Sequence, residues 1–211
     1  MCGRFYVDGN VWKEIHKIAE EAGSWELLTG KENMETESRG DVFPSCRALV
    51  LRGLQSHLDL QKMKWGYEVP GLKKEIINAR SETVREKRLF CQDFAYRRCL
   101  IPARSFYEWK RDEAKKVRYR FYDGNGILYL AGIYHASEQG DEFAILTRKA
   151  EGCMLGIHDR MPVLIRQEDV EAWLFSGEEA GELLNSSLQG LKRERAEDRG
   201  KEEEYEQLSL F

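Results

Sequence analysis

RCLIPARSFYEWKRDEAKKVRYRFYDGNGILYLAGIY, residues 98–134, decides what kind of fold this chain adopts. Strand-like runs at 98–103, 105–110, 117–122 and 127–134 follow one another with short breaks between them. Asp123-Gly124-Asn125-Gly126 supplies the residue types that tolerate the positive φ of a tight turn, so it predicts a hairpin between the last two runs.

Outward from this block, another strand-like run lies at 142–148, and two more, 47–53 and 57–65, precede it. Val11, Ile15, Ile18 and Ala22 recur at helical spacing and predict an amphipathic helix over 10–22. Thr83 followed three residues later by Glu86 matches a capping box and predicts a helix from there to about Tyr96. A short helix is expected near 168–175, and the polar stretch 23–41 reads as a loop. Many strands, few helices and no regular βαβ alternation indicate an α+β domain built on antiparallel sheet.

At 211 residues the chain has one domain's worth of length, and its apolar fraction of 42% suits a globular core. No apolar run approaches the roughly 20 residues that span a bilayer. MCGRFYVDGN at the start lacks the apolar stretch of a secretory signal, so no membrane partner is expected and the compartment is read as cytoplasmic. The five cysteines, Cys2, Cys46, Cys91, Cys99 and Cys153, are odd in number, widely spaced and without CxxC pairs or zinc-finger histidines. Neither a disulfide framework nor a metal or other cofactor is expected.

The net charge of −4 conceals a segregation of charge. Residues 60–122 hold 17 Lys and Arg against 8 Asp and Glu, a net +9, interleaved with aromatic residues including Trp65, Tyr67, Trp109, Tyr119 and Phe121. Cations neutralise phosphates while aromatic faces stack on unpaired bases, so this mixture suits single-stranded nucleic acid; solvated faces of ordinary strands have the same composition. From Gly190 the chain becomes almost wholly charged and has too little apolar surface to offset the entropy of ordering. The domain is therefore expected over 1–189, with 190–211 a flexible extension that ends in QLSLF.

Reactive groups concentrate in four stretches: MCGRF at 1–5, NARSET at 78–83, CLIPARSFYEW at 99–109 and GIHDRMPVLI at 156–165. Singly, each has an ordinary structural explanation. Asn78 suits a turn, Glu108 an exposed strand position, and His158 the surface or a satisfied core site. Glu108 fits its ordinary reading least well, because a carboxylate between Tyr107 and Trp109 is prone to desolvation, which raises its pKa toward the range useful in acid-base work. Cys2 follows the initiator methionine, and a side chain that small usually permits removal of Met1. The product is a 1,2-aminothiol, reactive toward aldehydes and acyl groups as no internal cysteine is.

Together with KWG at 64–66, these stretches, in this order, resemble the SRAP family, named for an SOS-response-associated peptidase, over Met1 to about Phe175. The resemblance implies a single-domain α+β fold with a barrel-like sheet and a positively charged groove for single-stranded DNA. It further implies covalent capture of abasic sites through Cys2, with Asn78, Glu108 and His158 as catalytic companions. By position, Arg4, Arg80 and Arg160 would contact phosphate and Trp65 would shape the groove at the lesion. Three departures stand out: Ser105 replaces the family's glycine before FYEW, WGYEVP is one residue longer than the usual WGLIP, and Glu151 stands where asparagine is usual. The second leaves the DNA contacts after Trp65 open.

Other readings compete. MCG also begins amidotransferases in which an N-terminal cysteine attacks an amide, but NARSET and HDRMP do not belong to them. A Cys2/His158 peptidase fits the family's name. A DNA-binding adaptor recruited by a sliding clamp fits the C-terminus, where Gln207, Leu208, Leu210 and Phe211 resemble the pentapeptide by which bacterial proteins dock on the replicative clamp, apolar anchors on a charged tether. The expected partners are therefore DNA containing abasic sites and that clamp, and the expected state is a monomer.

Overall fold

The computed structural model describes residues 2–21, 29, 39–55, 57–111, 115–124, 126–137, 140–186 and 190–196. Five strands close into a ring. β3 (Arg47–Leu54) and β4 (His57–Trp65) form a hairpin, β6 (Arg98–Ala103) pairs with β3, β9 (Leu128–His135) with β6, and β10 (Glu142–Lys149) with both β9 and β4. Every pairing in the ring is antiparallel except β10 with β4. Closure removes the free edges that a sheet of five strands otherwise exposes. Both faces of the ring are covered by side chains with no exposed surface, Met63, Trp65, Phe143 and Ile145 on one and Leu60 and Leu100 on the other. The expected α+β class with a barrel-like, mostly antiparallel sheet is what is observed.

Short strands extend the ring: β5 (Asn78–Arg80) and β11 (Arg160–Pro162) on β10, and β12 (Leu164–Ile165) on β9. β5 continues the line of β4 along the same edge of β10, since Lys64 and Trp65 face Glu142 and Phe143 while Asn78 to Arg80 face Ile145 to Thr147. Residues 66–77 therefore leave the sheet and return to it. Gly66 makes the exit, with φ +127 and its N–H on the Phe143 carbonyl at 2.8 Å, and a Cβ there would strike the Glu75 side chain. Lys64 and Ser45 both bind Glu75, at 2.6 Å each, which fastens the excursion to the sheet.

A second sheet runs in the order β13 (Lys192–Arg195), β8 (Lys116–Tyr122), β7 (Ser105–Arg111), β1 (Phe5–Val7), β2 (Gly40–Val42). The chain crosses from ring to second sheet at Arg104, whose N–H bonds the Tyr6 carbonyl at 2.8 Å. β8 lies in the second sheet and β9 in the ring, so the 123–126 turn is not the hairpin that its residues suggest. It passes the chain between sheets, closed by the Gly126 N–H on the Asp123 carbonyl at 2.6 Å.

Four helices are described. α1 (Gly9–Glu21) matches the amphipathic segment, with Asp8 Oδ1 capping the Asn10 and Val11 N–H groups at 2.9 and 3.3 Å and Val11, Trp12 and Ile15 buried. The helix expected from Thr83 does not form there. Residues 81–86 are turns, Thr83 Oγ1 is buried without a partner, and helix α2 spans only Cys91–Tyr96. α3 (Val170–Phe175) lies within the expected 168–175, and α4 (Gly177–Leu183) follows it, with Ser176 as its N-cap.

The extension also departs from expectation, because Lys192–Arg195 pair with Tyr119–Tyr122 and residues 190–196 belong to the domain. All four strand residues are exposed, so backbone ladder bonds, the Arg120–Glu194 ion pair at 3.2 Å and Arg193 over the Tyr119 ring hold them rather than apolar burial.

Arg98 joins the helices to the ring. Its buried guanidinium donates to the carbonyls of Trp173 at 2.7 Å, Phe94 and Ala95 at 2.9 Å, and Leu174 at 3.4 Å, satisfying the C-terminal turns of α3 and α2 at once. Trp173, itself fully buried, returns its indole N–H to the Cys99 carbonyl at 3.0 Å. Arg98→Met keeps the apolar stem but leaves these carbonyls dry and unpaired. It is expected to lower the free energy of unfolding by about 3 kcal/mol in a urea titration, whereas a loss below about 1 kcal/mol would show that the carbonyls find other partners.

Candidate active site

β1 is only three residues long, yet both its edges are paired, Phe5 to Val7 with Val42 to Gly40 and Phe5 and Tyr6 with Phe106 and Ser105. The ladder with β7 continues backward, because the Tyr107 N–H donates to the Arg4 carbonyl at 3.0 Å. The ladder thus runs back as far as Arg4, with Gly3 and Cys2 preceding it outside the strand. Ser105, where the resemblance expects glycine, is fully buried opposite Tyr6, so only a small side chain fits.

Cys2 has no exposed surface, and Asn78 Nδ2 donates to its carbonyl at 2.9 Å. The thiol bonds weakly to the Arg4 carbonyl at 3.8 Å. Burial pushes the Cys2 thiol far above the usual range, and the negative charge of Glu108 adds to the shift. Glu108, 2% exposed on β7, is also pushed up by burial, opposed by the positive amino terminus and by His158. Glu108 thus acts electrostatically on Cys2 and is itself acted on by His158, and Asn78 is tied to the backbone of Cys2.

His158 sits at the end of a loop between β10 and β11. Its Nδ1 accepts the Arg160 N–H at 2.9 Å and lies 2.7 Å from Asp159 Oδ1. A cleft of about 370 Å³, lined by Lys149, Ala150, Leu155, Gly156, Ile157, His158 and Asp159, opens beside it.

The cations expected to meet phosphate occupy different situations. Arg80 is exposed, and as the second residue after Asn78 on β5 it shares that residue's face of the strand. Arg160 is held by Glu82 in a two-pronged ion pair, 2.5 and 2.8 Å, with a further bond to the Thr147 carbonyl at 2.5 Å. The hydrogen bonds from Arg160 hold the Glu82 carboxyl down at about 2. Arg4 lies over the rings of Phe43 and Trp109 at 4.3 and 5.3 Å and pairs with Asp41 at 3.3 Å. Because Trp109 and Glu108 are strand neighbours, the Arg4 head lies on the side of β7 away from Glu108.

Trp65 was expected to shape the groove; it has no exposed surface. Its indole N–H bonds the Ile77 carbonyl at 3.0 Å and its ring stacks on Phe143 and tilts against Phe5. Its place is beneath the site, supporting β1 from the ring. Glu82 is the residue that motif reading passes over, although it stands inside NARSET two positions after Arg80, where a carboxylate near two proposed phosphate ligands is itself a signal. Gln207, Leu208, Leu210 and Phe211 lie outside the described residues. No group of His, Cys, Asp and Glu among the described residues is arranged to hold a metal ion, and no described helix is long and apolar enough to cross a membrane.

Comparison with known proteins shows the family and the fold. The chain is 34% identical to the abasic site processing protein YoqW of Bacillus subtilis, covering 90% of this chain and 87% of that one. It is also 34% identical to the abasic site processing protein YedK of Escherichia coli, at 88% and 86% coverage. A solved structure from Bacteroides thetaiotaomicron, 21% identical, superimposes with a TM-score of 0.75 over 93% of each chain and so shares the fold. The family model described as SOS response associated peptidase (SRAP) matches residues 1–198, through β13 and beyond the boundary expected at 189, and it is to this family that the chain belongs.

Proposed function

We propose that this protein binds single-stranded DNA and captures abasic sites covalently, through a thiazolidine formed by Cys2 after Met1 is removed. The observation that carries the reading is the burial of Cys2 beside Glu108, with Asn78 on its carbonyl, at a position where chains ordinarily fray. The names of the two bacterial relatives, abasic site processing proteins, support the substrate class.

The ring-opened abasic sugar offers an aldehyde at C1′. The α-amine, with a reference pKa of about 7.7–8.0, is partly neutral near pH 7 and attacks that carbon to give a carbinolamine. Glu108, whose pKa burial raises, donates a proton to the hydroxyl, which leaves as water, and an iminium forms. The thiol then passes its proton to the Glu108 carboxylate as sulfur adds to the same carbon and closes a five-membered ring. One water is lost overall and Glu108 ends as it began. Intramolecular closure makes the product far more durable than an imine. In this reading Asn78 orients the terminus, His158 assists opening of the sugar ring and binds the adjacent phosphate, and Arg80, Arg160 and Arg4 take phosphates along the strand.

A thiol whose pKa is raised argues against a cysteine peptidase, whose nucleophile needs its pKa lowered. We further propose that Gln207, Leu208, Leu210 and Phe211 dock on a bacterial sliding clamp; a peptide of residues 200–211 that fails to bind the clamp at micromolar concentration overturns this.

Incubation with abasic single-stranded DNA is expected to give an adduct that survives denaturing electrophoresis. Cys2→Ala and Cys2→Ser both keep the α-amine but cannot close the thiazolidine, so each leaves at most a less durable adduct. Undiminished adduct from Cys2→Ala contradicts the mechanism. Glu108→Gln should slow adduct formation by about 100-fold or more, the usual scale of a lost proton shuttle.

The same variant tests burial of the carboxyl. With a raised folded pKa, the native state keeps a proton that the unfolded chain releases near about pH 4.3, so Glu108 costs stability increasingly as pH rises from there through its folded value. The Tm advantage of Glu108→Gln over the parent should therefore grow between pH 4 and pH 7. An unchanged difference across that interval would mean that the carboxyl is not desolvated.

A further inference from the structure

The loop that presents His158 is fastened from an unexpected direction. Residues 150–159 close at their base through the Ala150 N–H on the Asp159 carbonyl at 2.9 Å, and Met154, fully buried, plugs the loop into the core. Gly152 and Gly156 have φ of +54 and +78, which lets the backbone turn twice within this short segment. Its own turns are closed by the Met154, Leu155 and Ile157 N–H groups on the carbonyls of Glu151, Gly152 and Met154, at 3.1, 3.2 and 3.0 Å. The carbonyls of Cys153 and Leu155 point instead to β13, where Arg193 Nη1 bonds them at 2.8 and 3.2 Å.

The register of β13 explains why Arg193 reaches them. Arg193 faces Phe121 and Glu194 faces Arg120, so alternate residues serve opposite sides of the sheet. Arg193 lies over the Tyr119 ring, 5.9 Å from its centroid, and Tyr119 in turn is the direct cross-strand partner of Glu108. The guanidinium therefore sits on the Glu108 side of the second sheet and bridges it to the His158 loop. Its influence on the half-buried Cys153 thiol, which it lowers against burial, is consistent with that position.

We infer that Arg193, in the C-terminal strand, is a positioning residue for His158: by holding the Cys153 and Leu155 carbonyls it fixes the loop that carries the histidine to the Cys2 and Glu108 site. The exposed strand β13 is thus a strap across the site rather than the start of a loose extension. The consequence for reaction rests on the proposed role of His158, whereas the fastening itself does not.

Hydrogen-deuterium exchange on the full chain separates the two. In Arg193→Ala, amides of residues 152–158 are expected to exchange about tenfold faster, as when a pair of bonds from a charged donor is lost, while those of β6 keep the parent rate. Arg193→Lys, which keeps the charge but not the planar fork, should restore protection in part. Glu194→Ala, which breaks only the ion pair on the other face, should leave the loop as in the parent. Parent-like exchange of 152–158 in Arg193→Ala overturns the inference, as does a rise that extends equally to β6.

The rate of adduct formation with abasic single-stranded DNA supplies the second reading. Arg193→Ala should slow it by about tenfold, matching the loss of loop order, with little change in binding to intact single-stranded DNA. If His158→Ala reacts at the parent rate, the role given to His158 falls while the exchange result still decides the strap. If His158→Ala is slow but Arg193→Ala is not, the positioning claim is overturned.

Discussion

Antiparallel pairing of Phe5 with Phe106 is the constraint on which the site depends. Chain termini rarely hold a fixed position, because a few residues cannot bury enough surface to offset the entropy of ordering them. Here the first strand is clamped on one edge by β2 and on the other by β7, and Trp65 and Phe5 pack ring to ring, 5.1 Å between centroids, where the second sheet meets the closed ring of strands. With Phe5 fixed, the three residues before it are short enough a lead to leave Cys2 buried within electrostatic reach of Glu108. The Asn78 amide then needs only to reach one carbonyl, and β5 supplies it from the edge of β10.

The arrangement runs against stability in a manner typical of reactive sites. A buried carboxyl and a buried thiol that raise each other's cost of ionising lose hydration on folding. Arg98 shows the contrast: a buried cation bonded to four carbonyls that the ends of two helices would otherwise leave dry. The two kinds of burial answer different needs, one fastening helices to the ring and the other raising the pKa of an acid.

Strand content was legible because runs such as 98–103 and 142–148 are apolar along their length, and their boundaries in the structure agree to within a residue. Pairing was less so. Asp123 to Gly126 have the local chemistry of a hairpin turn, but whether the flanking strands pair is settled by which sheet buries them, and Phe121 and Leu130 are buried in different ones. Thr83 and Glu86 likewise satisfy a local rule that tertiary packing overrides, since residues 81–86 form turns. Lys192 to Arg195 looked too charged to order, and a composition argument has no access to backbone bonds with β8. Cys2, Asn78, Glu108 and His158, the residues of the proposed site, stand out through their motifs, although the approach of Cys2, Asn78 and Glu108 depends on long-range pairing that no single motif contains. The burial of Trp65 beneath β1 is visible only in the structure.

The central claim is that amine and thiol of the same residue, Cys2, both bond to the abasic carbon. Peptide mapping of the adduct tests this most directly. After nuclease and trypsin digestion and treatment with iodoacetamide, mass spectrometry should find the tripeptide Cys2-Gly3-Arg4 without Met1, carrying the sugar remnant and no alkyl group on sulfur. A remnant on a lysine, or a sugar-bearing Cys2 whose thiol is still alkylated, would contradict the account.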